Sequence, residues 1–268
     1  MRRQLGAELQ ALRTLAGLTQ RDLQDAIGLG QVAVSRIERG ERLPTRDQVQ
    51  AWVHRTAAAA EVVERVVALA EAAHGATTPW PDLDDAPHLQ GVAGRREVAA
   101  SLVRGWTTEF LPGLLQTAQY ARQLFPLVDP YGSIDHAASV AARLERQQVL
   151  FEPGRRFEFL IAEHLLSWSP GPGVLPAQLD RIVSVATLET VEVRVLPSKR
   201  TGTPGWHSFA MFTAADDGAV FVTTELLHGG QELHDRDVVG LYERLWTSLW
   251  ESALSERDSV ELIRGLIG

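Results

Sequence analysis

LTQRDLQDAIGLGQVAVSRIERGERLP, residues 18–44, holds two short amphipathic segments joined by a tight Gly28-Leu29-Gly30 turn. Thr19 with Asp22 three residues on is a capping box, in which the hydroxyl accepts from a free amide and the carboxylate reaches back to the cap residue. Leu23, Ala26 and Ile27 then fall on one face of the first helix, and Val34 and Ile37 on one face of the second. Gly28 stands where a helix ends in a left-handed conformation that a Cβ would oppose. The outward face of residues 31–39 carries Gln31, Val32, Ser35, Arg36 and Arg39. Their amide, methyl, hydroxyl and guanidinium groups can read base edges or hold phosphates, whereas an ordinary surface helix more often shows Glu and Lys. Two helices and a turn of this kind are what a chain needs to push one helix into a DNA major groove.

The run Thr19-Gln20, Gly28, Val34-Ser35-Arg36-Ile37-Glu38-Arg39-Gly40 and Pro44 resembles, in register, the phage-repressor or xenobiotic-response-element (XRE) class of helix-turn-helix regulators. The resemblance covers about a quarter of the chain. It implies that Gln20 caps onto a DNA phosphate, that Gln31, Val32, Ser35 and Arg36 read bases, and that Arg13 of the first helix pairs with Glu38. Arg39 and Arg42, at and beyond the end of the recognition helix, are expected at phosphates. Gly30 departs from the pattern, standing where the class has a Ser or Thr cap; such a change costs only a few tenths of a kcal/mol.

At 268 residues the chain suits two domains, each able to bury its own core. The reading is an all-α five-helix domain over 1–75, a linker over 76–96 and an α+β domain over 97–268. There is no cysteine, so disulfides and thiolate metal sites are excluded. No apolar run reaches the roughly 18 residues of a membrane span, and MRRQLGAELQ reads as an amphipathic helix rather than a signal peptide. A cytoplasmic location and no membrane partner are expected. The net charge of −8 is unevenly divided: residues 1–56 hold nine arginines against six carboxylates, and the remainder is strongly acidic. A balance of +3 is modest for a DNA binder, so a homodimer on a palindromic double-stranded operator is expected.

Thr45 and Gln48 form a second capping box, opening a helix with Val49, Trp52 and Val53 on one face. Residues 57–74 make a fifth helix whose wide Val and Leu surface covers the core or helps pair two subunits. Residues 76–91, with three prolines and the acidic Asp82–Asp85 stretch, read as a linker. Beyond it, Leu102–Phe110, Phe157–Ile161, Val191–Leu196, Ser208–Thr213 and Val220–Thr224 look extended. Leu115–Phe125, Ile134–Phe151, Pro176–Thr187, Asp237–Trp250 and a last helix opened by Ser255 and Asp258 look helical. Strands and helices segregated by face are expected.

The segments FLPGLLQTAQYARQLF (110–125), RLERQQVLF (143–151), PAQLDRIVSVATLETVEVRVLP (176–197) and the closing GLYERLWTSLWESALSERDSVELI resemble the domain of unknown function that follows such helix-turn-helix segments in actinobacterial regulators. That family implies a regulator, some of whose members act beside a small partner protein in antitoxin-like pairs. The second domain is thus expected to dimerise and to sense a small partner protein or a small-molecule effector; the alternative is an antitoxin-like protein whose main output is binding such a partner.

Nothing in the pattern points to an enzyme, a cofactor or a metal. His88, His136, His164, His207, His228 and His234 make no close ligand pair and read as capped or surface residues. Glu163-His164 could form a dyad at a strand end, although a strand-terminal hydrogen bond is the simpler reading. No G-x-S-x-G surrounds Ser167 or Ser169, and GLG is too short for a phosphate loop. Tyr242, Trp246 and Trp250, spaced four apart, form an aromatic stripe that is either core or a partner or ligand face.

Overall fold

The computed structural model describes residues 1–75, 77–79, 90–132, 134–199, 202 and 204–267. The expected Asp82–Asp85 linker stretch and His88 lie outside the described residues. The chain divides into two compact units: Met1–Thr77 with Gln231–Gly240, and Thr78–Gly230 with Leu241–Gly268. Residues 231–240 therefore belong with the N-terminal helices, a grouping for which the sequence offers no signal.

In the first unit five helices enclose one core: α1 (Arg2–Leu15), α2 (Gln20–Ile27), α3 (Gln31–Glu38), α4 (Arg46–Arg55) and α5 (Ala60–Gly75). Thr19 and Thr45 open α2 and α4 with full capping boxes to Asp22 and Gln48. Gly28 ends α2 at φ 65°, left-handed as its sequence position requires. Leu5, Leu9, Leu23, Val34, Ile37, Val49 and Trp52 are almost fully buried together. The Trp52 indole N–H donates to the Leu9 carbonyl at 3.1 Å, so the one polar atom of the largest core side chain is satisfied. Ala26, expected on the buried face of α2, is exposed; two large residues, Leu23 and Ile27, suffice to fill an eight-residue helix's inner stripe. In α5 the buried apolar positions are Val66, Ala70 and Ala73, with Val62, Val63, Val67 and Leu69 only partly covered.

The second unit adds β1 (Thr78–Pro79), α6 (Gln90–Ala99), β2 (Ala100–Thr107), α7 (Ala118–Leu124), α8 (His136–Arg146), β3 (Arg156–Ala162), α9 (Leu175–Val185), β4 (Val191–Leu196), β5 (Phe209–Ala214), β6 (Val220–Leu226), β7 (Gly229–Leu233), α10 (Arg236–Glu251) and α11 (Glu256–Gly265). The unit division falls within β7 and α10. The sheet order is β1-β7-β6-β5-β2-β3-β4. β2, β3 and β4 run parallel, while β5 is antiparallel to both β2 and β6. The class is α+β. The parallel strands need long crossovers, supplied by α7 and α8 between β2 and β3 and by α9 between β3 and β4. Helices and strands therefore alternate along the chain from β2 to β4. β3, the middle strand of the parallel three, is buried from Phe157 to Ala162, an apolar run broken only by Glu158, whose carboxylate pairs with Arg104 and Arg156.

Candidate nucleic-acid interface

α3 buries Ala33, Val34, Ile37 and Glu38 on its inner side. Gln31 and Val32 are exposed, Val32 at 60%, and Ser35 and Arg36 are half-buried. An isolated valine that exposed on a helix otherwise locked into a core is available for apolar contact with a thymine methyl. Gly30 holds the N-cap position with no side-chain hydrogen bond, as its lack of a side chain dictates.

The base of α3 is fixed by a buried carboxylate. Glu38 accepts from Arg13 Nε at 2.5 Å and Nη2 at 3.1 Å, and from Gln20 Nε2 at 2.7 Å. A further Arg13 nitrogen, Nη1, donates to the Leu18 carbonyl at 2.8 Å. One carboxylate thus ties α1, the start of α2 and the end of α3 together. Donating to the Glu38 carboxylate raises the Arg13 pKa against the opposing effect of burial. The structure brings Arg13 and Glu38 together, and it adds Gln20, which in the free protein donates to Glu38. The Gln20–Glu38 bond had no signal in the sequence, because only the folded turn brings positions 20 and 38 into reach.

α1 and α3 touch backbone to backbone at Gly6. A Cβ there would stand 2.5 Å from the Ile37 carbonyl oxygen and 2.6 Å from that of Glu38. Only a glycine allows α1 to approach this closely.

Arg39 lies beyond α3 with two occupied contacts. Its Nε and Nη2 donate to Glu41 at 2.7 and 2.9 Å, and Nη1 donates to Ser35 Oγ at 2.6 Å. Both members of the Arg39–Glu41 pair are more than half exposed, so the pair is easily exchanged for a phosphate. Arg42 is half-buried in the loop between α3 and α4.

The aromatic stripe of α10 faces its own unit. Trp246 is buried and stacks on Trp250 with ring centres 5.0 Å apart, and the Arg194 guanidinium lies 4.3 Å above the Trp250 ring. Tyr242 packs edge-on against Phe209 and shares a 3.0 Å hydrogen bond with His207 Nε2. Trp246 therefore offers no accessible face, and Tyr242 and Trp250 are half-covered. Glu163 and His164 do not form a dyad: Glu163 accepts from the Ser198 amide at 2.6 Å and His164 Nε2 lies 2.8 Å from the Thr108 carbonyl. His234 is largely covered and capped by Glu232, with Nε2 2.7 Å from its Oε1. Among the described residues no group of three or more His, Asp or Glu is placed to hold a metal ion, and no helix is long and apolar enough to cross a membrane.

Residues 91–265 match the family model of a domain of unknown function, DUF5753. The chain belongs to the DUF5753 family. A second model, helix-turn-helix, matches residues 9–55, which take in the second half of α1 and all of α2, α3 and α4. This DUF5753 protein thus carries an XRE-type helix-turn-helix of the kind found in DNA-binding transcription regulators. No curated protein and no solved structure matches the chain.

Proposed function

We propose that this protein is a sequence-specific DNA-binding transcription regulator that enters the major groove with α3. The reading rests on one observation: Gln31, Val32, Ser35 and Arg36 stand on the open side of a helix whose other side is immobilised by the Arg13–Glu38–Gln20 network. A rigid helix presenting an amide, a methyl, a hydroxyl and a guanidinium is equipped for base readout, since amide, methyl and guanidinium match adenine, the thymine methyl and guanine, and a hydroxyl can serve either donor or acceptor edges. Gln20, Arg39 and Arg42 hold phosphates on either side. For Gln20 and Arg39 this means exchanging the present acceptors, Glu38 and Glu41, for phosphate oxygens.

The protein acts as a homodimer on a two-fold operator in the cytoplasm, with the DUF5753 domain supplying the pairing surface and the response to an effector or partner protein. Support for this comes from the low positive charge of residues 1–56, which one copy cannot turn into tight binding. Selection of bound fragments from the source genome, followed by titration of the full chain on the selected duplex and on a scrambled one, tests the reading. Equal affinity for both duplexes would remove the claim of sequence specificity.

A further inference from the structure

Residues 231–240 change the charge of the DNA-reading unit. Residues 1–77 carry ten arginines and nine carboxylates; residues 231–240, QELHDRDVVG, add three carboxylates and one arginine, taking the folded unit from +1 to −1. A net negative reader is a poor match for a polyanion.

The carboxylates are not spread at random. Glu232 pairs with Arg2 at 3.1 Å, and Asp235 pairs with Arg46 at 3.3 Å. Arg2 begins α1 and Arg46 begins α4, and both flank the loop that leaves the recognition helix. At Gly40 in that loop, φ is 71° and a Cβ would lie 2.7 Å from the Arg3 Cα, so the start of α1 is pressed against the end of α3. Arg46 stands four residues after Arg42 and two after the buried Leu43-Pro44 corner. The two arginines therefore bracket the edge of the reader from which phosphate contacts would come. Arg46 is 59% exposed and Asp235 only 19%. The acid is seated and the arginine can swing.

Asp235 is seated by a second task. Its Oδ1 accepts from the amides of Asp237 and Val238 at 3.1 and 3.2 Å, capping α10, while Oδ2 faces Arg46. Glu232 is held likewise, with His234 on Oε1 and Arg2 on Oε2. Both carboxylates are thus locked with one oxygen turned to an arginine of the reader, the arrangement a phosphate would adopt toward the same guanidinium.

We propose that residues 232–235 are an acidic latch that occupies Arg2 and Arg46 as a phosphate mimic, so that displacing this segment frees two further phosphate contacts and raises DNA affinity without altering base readout. The latch rests on the reading of α3 as a recognition helix. Because residues 231–240 lead directly into the remainder of α10, an event in the DUF5753 domain that shifts this helix start reaches the reader through the latch.

Asp235→Asn in the full chain tests it, since Asn caps a helix about as well as Asp and only the charge is lost. The variant should bind both a selected duplex and a scrambled one about two- to fivefold tighter, the range that an exposed ion pair is worth. Its plot of log affinity against log salt should steepen by roughly 0.9, one phosphate contact. Arg46→Ala should matter little alone and should abolish the gain when combined with Asp235→Asn. Unchanged affinity and slope in Asp235→Asn, or a gain that survives Arg46→Ala, overturns the latch. The base-reading claim fails separately, by equal binding of the unmodified chain to selected and scrambled duplexes.

Discussion

Arg13 and Glu38 meet across 25 residues of chain in a two-pronged hydrogen bond, and Gln20 donates to the same carboxylate. Glu38 is almost wholly buried, so the pair should fail asymmetrically. Removing only Glu38 leaves the Arg13 guanidinium half-sunk without its acceptor, at a cost of about 3 to 5 kcal/mol, whereas replacing both by apolar residues of similar volume should cost much less. Denaturant unfolding of the full chain, followed by hydrogen exchange at α1 and α3 amides, reads the difference. Parental protection in Glu38→Ala would show that the pair contributes nothing to the reader.

Readout and attraction should separate by residue. Arg36→Ala and Gln31→Ala should each lose roughly 1 to 3 kcal/mol on the selected duplex and little on a scrambled one. Arg42→Ala should weaken both by similar amounts. Binding isotherms at fixed salt decide it. An equal loss on both duplexes for Arg36→Ala would strip that residue of its base-reading role.

Gly6→Ala should damage the reader more than a single methyl suggests. The new Cβ would meet two backbone carbonyl oxygens at 2.5 and 2.6 Å, and backbone cannot rotate out of the way. Shifting α1 off α3 should cost about 1 to 3 kcal/mol and displace the recognition helix, so DNA affinity falls along with stability. Thermal melting and a DNA titration are read together. A variant with parental values in both would mean that the helices can separate freely.

The reader was legible because its signals are local. Thr19 with Asp22, Thr45 with Gln48 and the left-handed Gly28 each announce a helix boundary within four residues. Where the signal is weak or distant, the sequence misleads. α6 sits behind a proline- and aspartate-rich stretch and reads QGVAGRREVA, with too few large apolar residues to show a helical period. β7, GGQEL, has two glycines and two polar residues in five positions. The run 115–125 looks like one helix, yet it breaks: Gln116 is extended, and Thr117 caps a separate α7 by accepting from the Tyr120 amide. The Gln116 side chain is there for Arg143, which it meets at 2.5 Å inside the fold. Arg2 and Glu232 lie 230 positions apart, and no spacing rule reaches that far.

Glu97 in α6 makes stability depend on pH. It is buried against Arg146, 3.0 Å away, and burial pushes its carboxyl up to about 7 despite the attraction of Arg146, Arg143 and Arg96. Between the ordinary carboxylate value of 4.5 and 7, the folded state holds a proton that the unfolded state has released. Stability from this group is therefore present below that window and declines as pH rises through it, by up to about 3 kcal/mol. His234 works the other way: burial lowers its pKa, so folding excludes a proton and stability rises with pH below 6.5. Comparison with Glu97→Gln isolates the first effect. The variant should flatten the decline between pH 4.5 and 7 in chemical unfolding curves, and an identical pH profile would show that Glu97 stays ionised beside Arg146.

Two copies should act together on DNA. Readers of this class approach two-fold sites whose half-sites lie about one helical turn, roughly 34 to 36 Å, apart. The reader unit has a net charge near zero, so one copy should stay near the weak non-specific range, on the order of 10⁻⁴ to 10⁻⁶ M. Pairing turns the second contact into an intramolecular one and multiplies affinity without any new base contact. The partly covered Val62, Val63, Val67 and Leu69 of α5 and the exposed Leu226, Leu227 and Leu241 are apolar surface that an isologous contact could bury. The full chain should therefore sediment as a dimer at micromolar concentration and bind a duplex with both half-sites far more tightly than one with a single half-site. Changing the half-site spacing by five base pairs, half a turn, should abolish the advantage. A monomer that binds single and double half-sites equally would place all of the affinity in one reader and leave the DUF5753 domain without a role in pairing.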